Sequence, residues 1–207
     1  MSKALNDTLK LTYHPVNEEI FYAIDNWGDQ DVASWGPSIA NSWSTSPRIN
    51  YNRAQPANVW QSLKYNFQNN MIPHMNAGPQ HFNDPDHLLV GRGLLTPTEE
   101  ATQFALWCVS KAPLMISANV TTLSPAAEAI LSNEYLIAVN QDVLGQQAAC
   151  AFNCDFDASL GTVTSYQAQI EETATGGAYI VMVAVNWSDA TAVDLKYDLA
   201  ANGISFY

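Results

Sequence analysis

Residues 96–116, TPTEEATQFALWCVSKAPLMI, predict a helix that is followed directly by a strand. Thr96 can cap the helix, Pro97 suits its first position, and Glu99 completes a Thr-x-x-Glu capping box. Apolar residues then recur on one helical face, at Ala101, Phe104, Ala105, Cys108 and Val109. Residues 114–116 are an apolar run in which the next strand is predicted. Helices that alternate with such strands are typical of a parallel sheet covered by helices.

The same alternation extends over most of the chain. Residues 20–24 are an apolar run rich in strand formers, and we expect a buried parallel strand there. Apolar residues recur at helical spacing over 57–67, and Ser124 followed by proline begins a shorter helix. Residues 1–11 have the pattern of the end of a helix. Up to about residue 142, the chain is therefore predicted to have an α/β fold.

The pattern changes after Gly145. Strand-like segments separated by Gly, Asn, Asp and Thr follow one another at 163–166, 179–185 and 193–197. Because no helix pattern lies between them, an antiparallel β-domain is predicted. The predicted boundary lies near residue 143, which divides the chain into an α/β part, 1–142, and a partial antiparallel β-sandwich, 143–207.

The composition favours a globular protein that binds a neutral ligand. Of 207 residues, 47% are hydrophobic and 14% are charged, which is typical of a folded chain. No apolar run approaches the roughly 20 residues that cross a bilayer. A net charge of −12 argues against a nucleic-acid backbone or an anionic membrane as partner. The 6 Trp and 9 Tyr offer flat faces that can stack on sugars, although such rings more often pack in cores.

Cysteines and possible glycosylation sites bear on the cellular compartment. The 3 cysteines are too few to frame a domain with disulfides. Cys150 and Cys154 can bridge each other, whereas Cys108 is predicted to be a buried free thiol. Asn-x-Ser/Thr triplets, which suit a secreted protein but also arise by chance, begin at Asn6, Asn119 and Asn186. The N-terminus has no apolar signal core, so a secretory targeting segment would be missing here.

Two polar clusters adjoin predicted strands, where parallel folds place their ligands. Residues 25–29, DNWGD, follow the run at 20–24, and residues 78–87, GPQHFNDPDH, precede an apolar run. Carboxylates and amides beside an aromatic ring suit sugar hydroxyls. The alternative is that Asn83-Asp84-Pro85-Asp86 is only a turn, since these residues favour turns.

A metal site is a further interpretation of the second cluster. The candidate ligands for zinc or another transition metal are His74, His81, His87, Asp84 and Asp86. Their spacing contains no His-x-x-x-His pair on one helical face. Our prediction is therefore that the chain holds no metal.

Several motifs occur in the order and spacing of the melibiase (α-galactosidase) family. They include Asn26-Trp27-Gly28, Asn41-Ser42-Trp43, Asn83-Asp84-Pro85-Asp86, Lys111-Ala112-Pro113-Leu114 and the segment 137–146. The chain resembles this family over residues 1–147. The resemblance implies the second half of a (β/α)8 TIM barrel followed by the start of an antiparallel β-domain. For the full-length family member, it implies an extracellular enzyme that needs no cofactor and hydrolyses terminal α-D-galactosides with retention.

The resemblance also implies that the family's two catalytic carboxylates are missing. Retaining glycosidases use a nucleophile and an acid/base about 5–5.5 Å apart. The strand with the nucleophile corresponds to sequence before Met1, and Arg48 occupies the acid/base position. A guanidinium stays protonated near neutral pH and cannot shuttle a proton. The catalytic residues are therefore unassigned, and no Asp or Glu lies between Asp31 and Asp84 to replace them.

The same resemblance predicts which residues bind the sugar. These substrate-binding candidates are Asn26, Trp27, Ser44, Asp86 and His87. Two of these candidates, and Asp25 beside them, depart from the family pattern. Ser44 stands where the family has an Arg, His87 replaces an apolar residue that is often Met, and Asp25 stands where a disulfide-forming Cys is common.

The sequence leaves three functions open. The first is an α-galactosidase-like hydrolase represented by an incomplete chain, which is inactive in isolation and encoded by a truncated reading frame. The second is a non-catalytic galactoside-binding or structural remnant. The third is a metal-dependent hydrolase. In the first two cases a half barrel exposes strand edges at 20–24 and 114–118, so we expect the isolated chain to be unstable, aggregate or form a homo-oligomer.

Overall fold

The computed structural model describes residues 20–49, 56–152, 154, 163–172, 177–188 and 191–192. The strands are β1 (Ala23–Ile24), β2 (Ser42–Ser44), β3 (Phe82–Asp84), β4 (Ala149–Phe152), β5 (Val163–Glu172) and β6 (Gly177–Asn186). The α-helices are α1 (Val32–Trp35), α2 (Pro56–Met71), α3 (Pro97–Val109), α4 (Pro125–Leu131) and α5 (Glu134–Asn140). The helix predicted over 1–11, the strand predicted over 193–197 and the triplet at Asn6 lie outside the described residues.

A parallel sheet forms in chain order from β1, β2 and β3, as the alternating pattern predicts. Trp43 in β2 pairs with Ile24 on one side and with Asn83 on the other. A single parallel bridge then joins Leu88 to Ile116, after helix α3. Successive segments therefore point the same way, and their carboxyl ends meet at one edge.

The prediction of a buried strand over 20–24 is wrong in extent and in burial. Only Ala23 and Ile24 belong to β1, and the Phe21 side chain is 56% exposed. The reason is that β1 is the edge strand, and among the described residues it pairs only with β2. The strand predicted at 114–116 is likewise reduced to the bridge at Ile116, which is exposed.

Helix α3 begins as its sequence predicts. The Thr96 hydroxyl accepts a hydrogen bond from the Glu99 N–H, and the Glu99 carboxylate accepts one from the Thr96 N–H. The predicted apolar stripe is too narrow, because residues 106–109 are buried on every side while Ala101 is exposed. Helices α2, α4 and α5 and the strands β5 and β6 all pack around α3, so little of its C-terminal half faces solvent.

The other helices predicted within the described residues are confirmed. The helix expected around 57–67 is α2, and α4 is capped by Ser124, whose hydroxyl accepts from the Ala127 N–H. Among the described residues, none of the helices combines the length and the apolar character that a membrane span requires.

The strands β4, β5 and β6 form an antiparallel sheet, and β5 and β6 contain the segments predicted at 163–166 and 179–185. Cys150 and Cys154 form a disulfide, and Cys108 is a buried free thiol, both as predicted.

The antiparallel sheet packs directly on the helices. Tyr166 of β5 is fully buried, and its ring meets Phe67 of α2 edge-on at a centroid distance of 5.1 Å. The buried Lys111, after α3, lies 3.7 Å from the Asp142 carboxylate, which also accepts from the Glu171 N–H of β5. One apolar core therefore runs from α2 to β5, and the domain boundary near residue 143 stays a prediction.

Candidate functional site

The carboxyl ends of β1, β2 and β3 open into a cavity of about 490 Å³. Its polar lining includes Asp25, Ser44, Arg48, Asp84, Asp86 and His87. Phe21, Leu114 and Met115 contribute apolar surface to the same cavity. The parallel pairing of the strands brings these residues together, because it places the residues that follow each strand at the same edge.

The loop after β1 is fixed on the end of β2. The Ser44 hydroxyl accepts hydrogen bonds from the N–H groups of Asn26 (3.0 Å) and Trp27 (2.8 Å). Gly28 has φ +83°, and a Cβ atom there would lie 2.6 Å from the Thr45 carbonyl oxygen, so only glycine fits. Ser44, which is predicted to bind substrate, therefore also holds the preceding loop in place.

Two of the predicted binding residues lie outside the cavity lining. The Asn26 amide donates to the Asp29 carbonyl (2.8 Å), and its buried Oδ1 has no hydrogen-bond partner among the described residues. The Trp27 side chain is exposed. Asn26 and Trp27 thus directly follow Asp25 but do not form the cavity wall, whereas Ser44, Asp86 and His87 do.

Arg48 and Asp25 form an ion pair across the cavity. Both residues are predicted from the resemblance to depart from the family pattern, but sequence reasoning did not connect them. One feature of the sequence could have connected them. Asp25 follows the first of two neighbouring parallel strands and Arg48 follows the second, so both residues lie at the same edge of the sheet. Their side chains are 65% and 46% exposed, so the pair contributes at most about 1 kcal/mol to stability.

His87 and Asp86 form a second close pair of polar side chains. The His87 Nδ1 lies 2.6 Å from the Asp86 Oδ1, which also accepts from the His87 N–H (2.8 Å). The Asp86 Oδ2 accepts from the Ile49 N–H (2.6 Å). The Asp86 side chain is 9% exposed and that of His87 is 45% exposed, so the imidazole is the more open partner.

Asp84 is a titratable group that sequence reasoning did not single out as a binding residue. Burial raises the pKa of its carboxyl from 3.8 to about 6, and the negative charges of Asp86 and Asp25 raise it too. A hydrogen bond from the Asp86 N–H (2.9 Å) and the nearby His87 oppose the shift. Asp84 therefore exchanges its proton closer to neutral pH than an ordinary carboxyl does.

Buried polar contacts hold the Asn83-Asp84-Pro85-Asp86 segment. The Trp43 indole donates to the Asn83 Oδ1 (2.7 Å), and the Asn83 amide donates to the Gln147 Oε1 (2.8 Å). The Trp107 indole donates to the Asp86 carbonyl (2.7 Å). The segment does turn, since Asp86 has φ +93°, but the same turn places two carboxylates in the cavity.

The histidines of the proposed metal cluster are not brought together. The His74 Nδ1 contacts the Met71 carbonyl at 3.1 Å, and the His81 Nδ1 contacts the Ala40 carbonyl at 3.2 Å. Neither lines the cavity that contains His87. In the described part of the chain, no group of three or more His, Cys, Asp and Glu side chains is placed to hold a metal ion.

Comparison with known proteins identifies the family. The melibiase-type model for alpha galactosidase A matches residues 1–142. The α-galactosidase of Oryza sativa subsp. japonica is 38% identical over 130 residues, and α-galactosidase 3 of Arabidopsis thaliana is 37% identical over 143 residues. These matches cover 63% and 69% of this chain, respectively, and 30% of each relative.

Solved structures agree with the sequence comparison. An α-galactosidase of Saccharomyces cerevisiae superposes with a TM-score of 0.64 at 29% identity, covering 82% of this chain and 41% of that one. A second structure from this yeast, with raffinose, gives a TM-score of 0.60 at 27% identity over the same shares. The chain belongs to the α-galactosidase (melibiase) family of glycosidases.

Proposed function

We propose that this chain is the galactoside-binding part of an α-galactosidase-like glycoside hydrolase and that it does not hydrolyse galactosides by itself. In this proposal it forms the second half of a (β/α)8 barrel followed by the start of an antiparallel β-domain. The parallel segments β1 to β3 and the further bridge at Ile116 support the barrel assignment. The chain spans 30% of the length of the curated relatives it matches, so their whole activity is not assumed for it.

The cavity at the strand ends is the observation that carries the proposal. It combines carboxylates, an imidazole and a hydroxyl with the apolar surface of Phe21 and Met115. Such a lining can bind hydroxyl groups on one side of a sugar and cover a less polar face on the other. The raffinose complex of the yeast relative shows that a similar fold binds a sugar.

The side chains that line the cavity are the reason for proposing that the chain does not hydrolyse galactosides. The position that resembles the family's acid/base is Arg48, and its guanidinium is paired with Asp25. The Asp86 carboxylate already accepts hydrogen bonds from the Ile49 and His87 N–H groups and contacts the His87 Nδ1, so its oxygens are not free to act on a substrate. Burial raises the pKa of the Asp84 carboxyl to about 6, but a retaining mechanism needs a second carboxylate as nucleophile.

Two measurements on the purified chain test this proposal. Titration with galactose, followed by NMR, is expected to show saturable binding that glucose does not reproduce. Incubation with p-nitrophenyl α-galactoside is expected to release no p-nitrophenol above background, with or without chelator. Failure of the folded chain to bind galactose would contradict the binding role. Release that disappears in an Asp84→Asn variant would contradict the claim of inactivity.

Self-association is proposed from the exposed apolar residues at the edges of the parallel segments. Phe21 lies beside β1, and Met115 and Ile116 lie at the other edge, all exposed. Because unpaired strand edges template pairing with other chains, we expect oligomers or aggregates of the isolated chain. Light scattering after size exclusion measures this, and a compact monomer with well-protected amides at β1 would contradict it.

Secretion and glycosylation complete the proposal. Asn119 is exposed, and its Oδ1 accepts hydrogen bonds from the N–H and the hydroxyl of Thr121. The Asn186 side chain is also exposed, although Trp187 beside it packs on the core. Expression through a eukaryotic secretory pathway should give a product that loses mass on endoglycosidase treatment, and Asn119→Gln should reduce that loss. An unchanged mass would contradict glycosylation.

A further inference from the structure

The Asp86 carboxylate has little capacity left for a ligand. Its Oδ1 accepts from the His87 N–H and lies within hydrogen-bond distance of the His87 Nδ1, and its Oδ2 accepts from the Ile49 N–H. The side chain is only 9% exposed. A sugar hydroxyl that approached Asp86 would therefore have to share or displace these donors.

The contact with Asp86 determines which nitrogen of His87 carries the proton. An ionised carboxylate only accepts hydrogen bonds, so the imidazole donates from Nδ1. In the neutral ring, Nε2 is then the acceptor. Among the described residues, Nε2 has no hydrogen-bond partner.

The backbone that carries the His87 ring is also held in place. Beyond the two bonds to Asp86, the His87 carbonyl accepts from the buried Gln103 amide (3.1 Å). The Asp86 carbonyl accepts from the buried Trp107 indole (2.7 Å). Because Nδ1 faces the buried carboxylate and the side chain is 45% exposed, the ring edge with Nε2 is on the open side, in the cavity lining.

From these contacts we infer that His87 is a specificity-determining residue: its Nε2 accepts a hydrogen bond from one hydroxyl of the bound sugar, in place of Asp86. Asp86 is the positioning residue that orients the ring. The inference rests on the proposed galactoside binding and deepens it, because it names the atom that accepts the hydrogen bond from the sugar hydroxyl. An acceptor of this kind discriminates against a sugar that lacks the donor at that position.

Paired substitutions separate the role of Nε2 from a structural role of the ring. In His87→Gln the side-chain amide reaches approximately where Nε2 lies, whereas in His87→Asn it reaches only the Nδ1 position. His74→Asn is the matched control, since His74 lies outside the cavity lining. Each variant is titrated with galactose and with a set of monodeoxygalactoses, and its melting temperature is recorded.

The inference predicts different affinities for the two substitutions. His87→Asn should bind galactose about tenfold more weakly, the effect of losing one hydrogen bond. His87→Gln and His74→Asn should stay within about threefold of the unaltered chain. One deoxygalactose should bind the unaltered chain weakly and be insensitive to His87→Asn. The Nε2 resonance of His87 should also shift when galactose is added.

Other results would overturn the inference. Galactose binding that is unchanged in both His87 variants, or that falls equally in both, would contradict a role for Nε2 while leaving the proposed function intact. An Nε2 resonance that does not move at saturating galactose would do the same. If the unaltered, folded chain binds no galactose, the proposed function itself fails and the inference fails with it.

Discussion

The core around α3 and the cavity at the strand ends are held together by different kinds of interaction. Around α3, the rings of Phe67, Trp107 and Tyr166 are fully buried, and Phe67 contacts both of the others. In the cavity, the contacts are hydrogen bonds and ion pairs, and some of them join exposed side chains, as between Arg48 and Asp25. The difference indicates that the core carries most of the stability, whereas the exposed residues of the cavity, such as Arg48 and Asp25, can change with little effect on folding. The residues that are predicted from the resemblance to depart from the family pattern, Asp25, Ser44, Arg48 and His87, all line the cavity.

Removing a central core ring is expected to have the largest effect. Phe67→Ala leaves a void among Trp107, Tyr166 and Trp187 and should lower the free energy of unfolding by about 3–5 kcal/mol. Chemical denaturation followed by circular dichroism measures this change. Ile72→Ala, at an exposed position just after α2, is the control and should change stability by less than about 0.5 kcal/mol. A loss below about 1 kcal/mol for Phe67→Ala would contradict the picture of one shared core.

The Asp84 carboxyl is expected to make stability depend on pH. Between its ordinary pKa of 3.8 and its folded value of about 6, the folded protein holds the proton while the unfolded chain has lost it. Stability should therefore fall as the pH rises through this window, by up to about 3 kcal/mol. Asp84→Asn should remove this slope and stabilise the protein at pH 7.

Denaturation curves at several pH values test this prediction. Glu128→Gln, which removes one exposed carboxylate far from the cavity, is the matched control. If Asp84→Asn and Glu128→Gln change the pH profile equally, the burial of Asp84 has no energetic consequence and the prediction is wrong.

The N-terminal cap of α3 is expected to make a smaller contribution. Thr96→Ala removes the hydroxyl that accepts from the Glu99 N–H and should cost about 1 kcal/mol. Thr98→Ala, at the exposed second position of the same helix, should be nearly neutral. The difference in denaturation midpoint between the two variants measures the cap, and equal midpoints would show that the capping box is not needed.

The cavity ion pair is expected to contribute least. A double-mutant cycle on Arg48→Ala and Asp25→Ala should give a coupling of about 0.2–1 kcal/mol, because both side chains are largely exposed. The coupling should vanish near 1 M salt, where the Debye length is about 3 Å. A coupling that survives high salt would mean that the pair is shielded from solvent. The cavity would then differ less from the core in its exposure to solvent than the structure indicates.

The features predicted correctly from the sequence are local ones. The capping box at Thr96 lies within four consecutive residues, and the Cys150–Cys154 disulfide spans a separation of 4. The burial of β1 was predicted wrongly because an apolar run does not reveal whether its strand lies at the edge of a sheet. The pairing of Asp25 with Arg48 depends on the neighbouring strands β1 and β2, so it required the tertiary structure.

In the candidate site too, local features were predictable from the sequence, whereas features that depend on tertiary structure were not. The motif at 83–86 located the cavity, because those residues have the order and spacing of the family. The raised pKa of Asp84 comes mainly from burial, which no local pattern contains. The pairing of His87 with Asp86 was accessible in principle, since the two are adjacent in sequence. Which nitrogen of the ring faces the cavity depends on how the turn is folded.

A crystal structure of the chain grown with galactose tests the central claim most directly. The account predicts galactose in the cavity at the ends of β1, β2 and β3, with a hydroxyl at the Nε2 of His87 and the Arg48–Asp25 pair intact. An ordered cavity without sugar at saturating galactose, or galactose bound only elsewhere, would contradict it.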